Sequence, residues 1–252
     1  MDRDTLAAGF TANAAELREQ LALMSAASQL LERTAGSRER GYVAALNQSI
    51  CRMLRTISRM ELAHRLAEEQ EPRAVLAPLD LSVWAEELAR RMESVLAAAG
   101  ISLQWEVPAV LPAHADGELL SRIVLEMVTA AAESGNRIRL TLNRKGDQVH
   151  ITAGAEGEVP NRPLVPECLA EGREDMGMAM IRQAARIHGG TLVTCLEGGL
   201  CRSLTVIIPL GLDEPVSRLE SPRAPLSTGG FDPVLVAFSH LLPESEFLQT
   251  LE

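Results

Sequence analysis

The sequence has 252 residues, of which 46% are hydrophobic, 23% are charged and 3% are aromatic, and its net charge is −10. This composition is ordinary for a globular protein with a core, whereas the negative charge and the few aromatic residues exclude a general nucleic-acid binder. No apolar run reaches the ~18 residues of a membrane span, and the four cysteines form no CxxC pair, so we expect no metal and a cytoplasmic protein with reduced thiols.

Residues 10 to 70 lack proline and are rich in helix-forming residues, with one interruption at TAGSRERG. On each side of it, stripe positions recur at alternating spacings of three and four, which is typical of a helix that buries a narrow seam against another helix. These positions are Phe10, Ala14, Leu17, Leu21, Met24, Ser28 and Leu31, then Val43, Leu46, Ile50, Met53, Ile57, Met60 and His64. The short connection predicts an antiparallel hairpin.

Apolar residues beside this stripe indicate that one hairpin leaves apolar surface uncovered; they are Leu23, Leu30, Leu54 and Leu62. Two hairpins from two chains would close a four-helix bundle, so we expect a homodimer through residues 10 to 70 that aspartate at Ile50 or Ile57 separates. The alternative is an intramolecular bundle with the rest of the chain. His64 is interpreted as a partly buried core residue or a cation at a helix end.

From residue 72 the pattern changes to alternating strands and helices. The stretch AVLAPLDL reads as extended, and Asp80 or Ser82 can cap a helix through VWAEELARRMESVLAAAG that Gly100 terminates. ISLQWEV alternates like a strand. Asp116 can cap a second helix, GELLSRIVLEMVTAAAES.

The next two strands, RIRLTLNR and QVHITAGA, are joined by KGD, which is a hairpin signal. After a polar stretch, MGMAMIRQAARIHGG predicts a helix whose start at Gly177 has the pattern of a phosphate cradle. The segment TLVTCLEGGLCRSLTVIIPL predicts a last hairpin. Helices mixed with hairpin-linked strands predict an α+β fold, built as a two-layer sandwich.

The order of these elements resembles the cytoplasmic core of a sensor histidine kinase. Residues 1–71 resemble its dimerisation and histidine-phosphotransfer hairpin. Residues 72–211 resemble its ATP-binding domain, of the superfamily that also contains gyrase. The resemblance rests on QSICRMLRTISRM, HADGELLSRIVLEMV, MGMAMIRQAARIHGGTLV and SLTVIIPL. It implies a dimeric four-helix bundle followed by an ATPase-type α/β sandwich, and a role in two-component signalling.

The resemblance implies a phosphoacceptor histidine on the first helix, in the stretch AELREQL. Glu16 and Arg18 fit the family's pattern, but the position of the histidine is Ala15 and that of the usual proline is Gln20. A methyl group cannot carry a phosphoryl group. The phosphoacceptor site is therefore expected to be absent.

The resemblance also implies two asparagines one helical turn apart, of which the second holds the nucleotide's magnesium. Their positions are Glu126 and Ala130. Ala130 offers no oxygen to a hard cation, which binds through oxygen ligands. Glu126 is either a residual general base, as glutamate is in related ATPases, or a carboxylate at the rim of a vacant pocket.

The remaining nucleotide motifs are degenerate as well. In AGAEG, Ala153 replaces the aspartate that reads the adenine amino group, Ala155 replaces a glycine, and Gly157 is retained. In the phosphate loop Gly177 is retained, but Asp175 replaces a glycine and places a negative charge beside a triphosphate. We expect no cofactor, and ATP–magnesium binding that is weak or absent.

Residues 212–252 are interpreted as a linker followed by an apolar tail. Proline, serine and glycine dominate residues 212–230, and FDPVLVAFSHLLPESEFLQTLE holds three of the four phenylalanines of the chain. Such a cluster should dock; we expect it on the α/β domain, with a partner protein as the alternative.

These observations predict a catalytically inactive pseudokinase of two-component signalling that dimerises and binds a response regulator or a true kinase. Two alternatives remain open. One is an active histidine kinase or ATPase with an unorthodox pocket that uses Glu126. The other is a phosphotransferase that needs no ATP and uses His64.

Overall fold

The computed structural model describes residues 3–68, 75–158, 176–197, 200–211 and 232–248. The chain divides into two compact units, one formed by Met1–Glu69 with Leu226–Glu252 and the other by Gln70–Pro225. The α-helices are α1 (Arg3–Thr34), α2 (Ser37–Glu68), α3 (Leu81–Ala97), α4 (Gly117–Ala132), α5 (Met176–Ile187) and α6 (Pro233–Phe238). The strands are β1 (Ala77–Asp80), β2 (Ser102–Glu106), β3 (Pro112–Ala115), β4 (Arg137–Lys145), β5 (Gln148–Glu156), β6 (Thr191–Glu197) and β7 (Leu200–Pro209).

In the first unit, α1 and α2 form the predicted helical hairpin. Only Ala35 and Gly36 connect them, so the interruption is shorter than the predicted one. An ion pair on the hairpin fixes the register of the helices: the Arg18 guanidinium binds the Glu61 carboxylate in a bidentate fashion and donates to the Ser58 hydroxyl at 3.1 Å. Among the described residues, no helix combines the length and the apolar character that crossing a bilayer requires.

Apart from Phe10, Leu46 and His64, which are half-buried, the positions of the predicted stripe divide into two sets that alternate along the chain. One set is buried within the hairpin and comprises Ala14, Leu21, Ser28, Val43, Ile50 and Ile57. The other set remains accessible and comprises Leu17, Met24, Leu31, Met53 and Met60, between 41% and 56% exposed. The hairpin therefore satisfies only half of its own apolar pattern.

The C-terminal segment belongs to the helical unit. It consists of α6, which Asp232 caps, and a 3-10 helix at Glu244–Phe247, and both pack on α2. The Asn47 side chain donates to the Phe247 carbonyl, and the Gln48 side chain donates to the Leu242 carbonyl, each at 2.8 Å. The expectation that this segment docks on the α/β domain was wrong, because α2 offers both apolar surface and two amide donors to it.

In the second unit, α3, α4 and α5 pack on a five-stranded sheet of order β2-β4-β5-β7-β6, in which only the β2–β4 pair is parallel. Every second residue of the central strands is buried against the helices; these are Ile138, Leu140, Leu142, Val149, Ile151, Ala153, Ala155, Leu204, Val206 and Ile208. The predicted α+β two-layer sandwich is confirmed.

Local signals explain most boundaries of this unit. The Asp80 carboxylate accepts a hydrogen bond from the Ser82 backbone N–H at 2.9 Å, so Asp80 rather than Ser82 caps α3. Asp116 caps α4 through the Leu119 N–H at 2.9 Å. Gly100 after α3 and Gly146 between β4 and β5 have φ angles of 70° and 66°, a region that favours glycine. The sequence did not predict β3, which pairs with β1 in a separate two-stranded sheet.

Candidate functional site

Helix α4 is the centre of the candidate site, because it packs against both β5 and α5. The structure thereby brings together three elements that carry predicted site residues from separate stretches of sequence. At the end of α4 the backbone comes very close to β5: a Cβ on Gly135 would lie 2.5 Å from the Glu156 carbonyl oxygen. Glycine is therefore required at this position for close packing.

On α4, Glu126 and Ala130 lie one turn apart and are both half-buried, whereas the intervening Met127 and Val128 are completely buried. The pair presents one carboxylate and one methyl group on the same side of the helix. A divalent cation is normally held by six or more oxygen ligands, counting waters and substrate. Of these two residues, only Glu126 offers oxygen ligands to a metal. Within the described ranges, no cluster of three or more His, Cys, Asp or Glu side chains could hold a metal.

On β5, Ala153 and Ala155 belong to the buried face of the sandwich. Ala153 is 0% exposed and stands between Leu140 of β4 and Leu204 of β7 in the strand register. A carboxylate at this position would be surrounded by apolar neighbours. At the position where the resemblance implies a carboxylate, the structure has a methyl group inside the core.

The backbone conformation at position 157 explains why glycine occurs there. Gly157 follows β5 with a φ angle of 88°, and a Cβ there would lie 2.3 Å from the Asn136 side-chain oxygen. That oxygen already accepts a hydrogen bond from the Glu158 N–H at 3.2 Å. Backbone geometry alone therefore accounts for glycine at this position.

Of the two phosphate-loop positions, one lies within the described residues. Gly177 is the second residue of α5 and is buried. Asp175 lies outside the described residues, so its expected repulsion of a triphosphate stays a prediction.

The end of α5 is tied to the start of α4 by His188, which is 6% exposed. Its Nε2 atom accepts a hydrogen bond from the Asp116 N–H at 3.2 Å, and its Nδ1 atom lies 2.9 Å from the Ala184 carbonyl oxygen. Since Nε2 is an acceptor, the ring is neutral with its proton on Nδ1, which donates to that carbonyl. The imidazole joins the two helices that frame the candidate site.

In the helical unit, Ala15 is exposed on α1. The position at which the resemblance implies a phosphoacceptor histidine is therefore accessible and carries a methyl group. His64 on α2 is half-buried, and its ring lies 4.3 Å from the ring of Phe10 at an interplanar angle of 41°. Its environment is that of a packed aromatic pair, as expected for a partly buried residue.

No protein-family model and no curated protein sequence matches this chain at a significant level. The structure is similar to that of full-length ShkA in complex with AMPPNP, with 21% identity and a TM-score of 0.63 over 81% of this chain and 46% of that one. It is also similar to the histidine kinase AdeS of Acinetobacter baumannii, with 15% identity and a TM-score of 0.51 over 66% of this chain and 84% of that one.

This chain thus spans about half of the length of full-length ShkA. At these identities the similarity concerns the fold, and both parts of the fold agree with it: a helical hairpin comes first and a mixed sheet covered by helices follows. The chain has the fold of a histidine-kinase core, with a helical N-terminal region and an ATPase-type α+β domain.

Proposed function

We propose that this chain is a catalytically inactive, cytoplasmic pseudokinase of two-component signalling, which dimerises through its helical hairpin and binds a signalling partner such as a response regulator. The observation that carries the proposal is Ala153. Where the family reads adenine with a carboxylate, this chain has a methyl group that is 0% exposed.

The surroundings of Ala153 support the proposal that nucleotide binding is weak or absent. The inward face of β5 consists of Val149, Ile151, Ala153 and Ala155, all apolar and buried. An adenine amino group placed there loses its acceptor, at a cost of about 1–3 kcal/mol. That loss weakens affinity by roughly tenfold for every 1.4 kcal/mol.

Phosphoryl transfer fails for two further reasons. Catalysis of this reaction depends on positioning and on neutralisation of the phosphate charges by metal, and Ala130 offers no oxygen to the metal. The acceptor is missing as well, since Ala15 stands where the histidine is expected. ShkA was solved with AMPPNP, so the fold accommodates a nucleotide; we attribute its loss here to individual side chains.

Dimerisation is supported by the accessible half of the stripe. At about 100° per residue, Leu17, Met24 and Leu31 lie on one flank of the contact between α1 and α2. Met53 and Met60 lie on the same side of the hairpin, because α2 runs antiparallel to α1. These residues form a continuous apolar strip, here called the open strip. A second copy would cover it and close a four-helix bundle.

The phosphotransferase alternative finds no support at His64. Its imidazole packs on the Phe10 ring and is half-buried, whereas an acceptor of phosphoryl groups must meet an incoming domain. The partner of the pseudokinase is therefore expected to be recruited by binding rather than through transfer to His64.

The deciding experiment is a calorimetric titration of the full chain with ATP and magnesium, with an ATP-binding histidine-kinase core as positive control. We expect no saturable heat. A matched variant, Ala130→Asn with Ala153→Asp, restores two ligand-contacting side chains and tests whether their loss is the cause; its folding is checked by circular dichroism. A dissociation constant in the micromolar range or below for the unmodified chain would show that the pocket works.

A further inference from the structure

The first half of α2 buries two faces rather than one. Toward α1 it presents a stripe of Val43, Ile50, Leu54 and Ile57, all buried. Roughly 100° around the helix lies a second buried stripe, formed by Ala44, Gln48 and Cys51. Helix α1, in contrast, buries a single narrow stripe of Ala14, Leu21, Ser25, Ser28 and Glu32. The second face of α2 is the one that the C-terminal segment 232–248 covers.

Two neighbouring amides of α2 recognise this segment through its main chain. Gln48 donates to the carbonyls of Ser239 and Leu242, at 3.3 and 2.8 Å, and Asn47 donates to that of Phe247 at 2.8 Å. Ser239 follows α6 and Phe247 ends the 3-10 helix, where carbonyl groups lack partners within the helix, and Leu242 lies in the connection between the two. Asn47 and Gln48 therefore recognise backbone carbonyls of the segment rather than particular polar side chains.

Segment 232–248 contains its own helix-capping residues and its own apolar face. Asp232 caps α6 through the Val234 N–H at 2.7 Å, and Pro233 occupies the first turn. Six of its apolar side chains are 4% exposed or less; they are Val234, Val236, Phe238, Leu241, Leu242 and Phe247. Local signals start the helix, and apolar burial with two amides holds it on α2.

The fit of the segment on α2 is incomplete. An open groove with a volume of about 540 Å³ lies between the hairpin turn and the 3-10 helix, lined by Ser37, Arg40 and Ala44 on one side and by Glu244 and Leu248 on the other. The Asn47 Oδ1 and Ser239 Oγ atoms are buried and have no hydrogen-bond partner among the described residues. An unpaired buried polar atom costs about 1–3 kcal/mol, so a different helix could fill this face better.

We propose that the face of α2 around Ala44, Asn47, Gln48 and Cys51 is a docking site for a partner protein's short amphipathic helix, and that segment 232–248 is its built-in competitor. The partner helix presents apolar side chains at helical spacing and ends with free carbonyls over Asn47 and Gln48. This inference is independent of nucleotide binding and of the open strip, which lies on another side of α2.

The test uses a fluorescent synthetic peptide of residues 230–250 and the full chain. Phe238 is 0% exposed, so Phe238→Asp should release the attached segment and leave the α2 face intact. The attached segment competes at an effective concentration on the order of millimolar. We therefore expect the Phe238→Asp chain to bind the peptide at least tenfold more tightly than the unmodified chain. The exposed Glu246→Gln chain is the matched control and should behave like the unmodified one.

A second substitution identifies the site. In the Phe238→Asp background, Gln48→Ala should weaken peptide binding at least tenfold, and a peptide that itself carries Phe238→Asp should not bind. Equal binding by the released and unmodified chains, or indifference to Gln48→Ala, overturns the proposal.

Hydrogen exchange on the unmodified chain keeps the proposal testable if Phe238→Asp fails to fold. Segments that open locally exchange without global unfolding. We expect amides of 233–248 to exchange faster than those of α2 while α2 stays protected. Exchange of both only at the rate of global unfolding would make the segment a permanent part of the helical core and refute its role as a competitor.

Discussion

Replacing both Met24 and Met53 by glutamate is expected to convert the proposed dimer into a folded monomer. Each side chain is 41% exposed in the isolated chain and belongs to the open strip. Their charges remain hydrated in the monomer but would be desolvated in a four-helix bundle. Ile50 and Ile57, which the sequence suggested as dimer contacts, are buried within a single hairpin. Aspartate at Ile50 should therefore unfold the hairpin, because an unpaired charge would lie in its core.

The expected loss of dimer affinity follows from the exposed fractions of the side chains in the open strip. The open strip has five side chains per chain, each about half exposed: Leu17, Met24, Leu31, Met53 and Met60. Complete burial of such a side chain contributes about 1.5–3 kcal/mol, so covering the remaining half contributes about 0.7–1.5 kcal/mol each. Ten side chains in a dimer give about 7–15 kcal/mol, which must exceed an association cost of about 4–15 kcal/mol. Removing two per chain forfeits about 3–6 kcal/mol, or at least about a hundredfold in the dissociation constant.

The assay is light scattering or sedimentation at micromolar concentrations, with circular dichroism to follow helix content. Leu23→Glu is the matched control, since Leu23 is 63% exposed on α1 away from the open strip, and this variant should stay dimeric. A monomeric unmodified chain, or an unchanged mass for the Met24/Met53 variant, would refute the assignment of the dimer face. A folded, helical Ile50→Asp monomer would refute the division of the stripe into inner and outer sets.

Four further predictions concern chemistry and stability. The Ala15→His chain should not label itself from radioactive ATP, because the acceptor is restored but not the donor; labelling from ATP alone would mean that the pocket functions. Burial raises the pKa of the Cys51 thiol to about 12 from 9.0, so this thiol should resist alkylation in the folded protein while the exposed Cys195 reacts. The stability that the buried Cys51 thiol contributes is present below pH 9.0 and should be lost as the pH rises toward about 12; a flat stability curve over that range contradicts this. His188→Ala should lower the free energy of unfolding by about 1–3 kcal/mol, since it leaves the Asp116 N–H without its acceptor; unchanged thermal unfolding argues against this role.

The helical unit shows what a heptad pattern predicts and what it does not. The spacing of three and four located the positions that need apolar contacts, and the hairpin has them. The pattern could not distinguish positions that face α1 from those of the open strip, because both sets repeat every seven residues. Which of Met53 and Ile50 is buried depends on the side of α2 on which α1 packs. That side is set by tertiary structure and not by the heptad spacing.

Other features had no sequence signal at all. Asn47 and Gln48 are polar and look like part of a solvated face, yet they bind carbonyls about 190–200 positions further along the chain. Strand β3 has four residues and begins with proline, so it lacks the length and the alternation by which strands are predicted. At the candidate site the family pattern located Ala153 and Gly157, but only the structure explains them, one by burial in the core and the other by its φ angle.

The two faces proposed for α2 can be separated, and this makes each proposal a control for the other. Gln48 and Met53 are five residues apart and thus roughly 140° apart around the helix. A second copy on the open strip and a helix on the Gln48 face would therefore not compete for the same surface. Met24→Glu with Met53→Glu should change the mass but leave the exchange of amides 233–248 as it was. Phe238→Asp should speed that exchange and leave the mass of the dimer intact. If either variant changes both readouts, the two faces are coupled, and the C-terminal segment then supports the dimer rather than guarding a separate site.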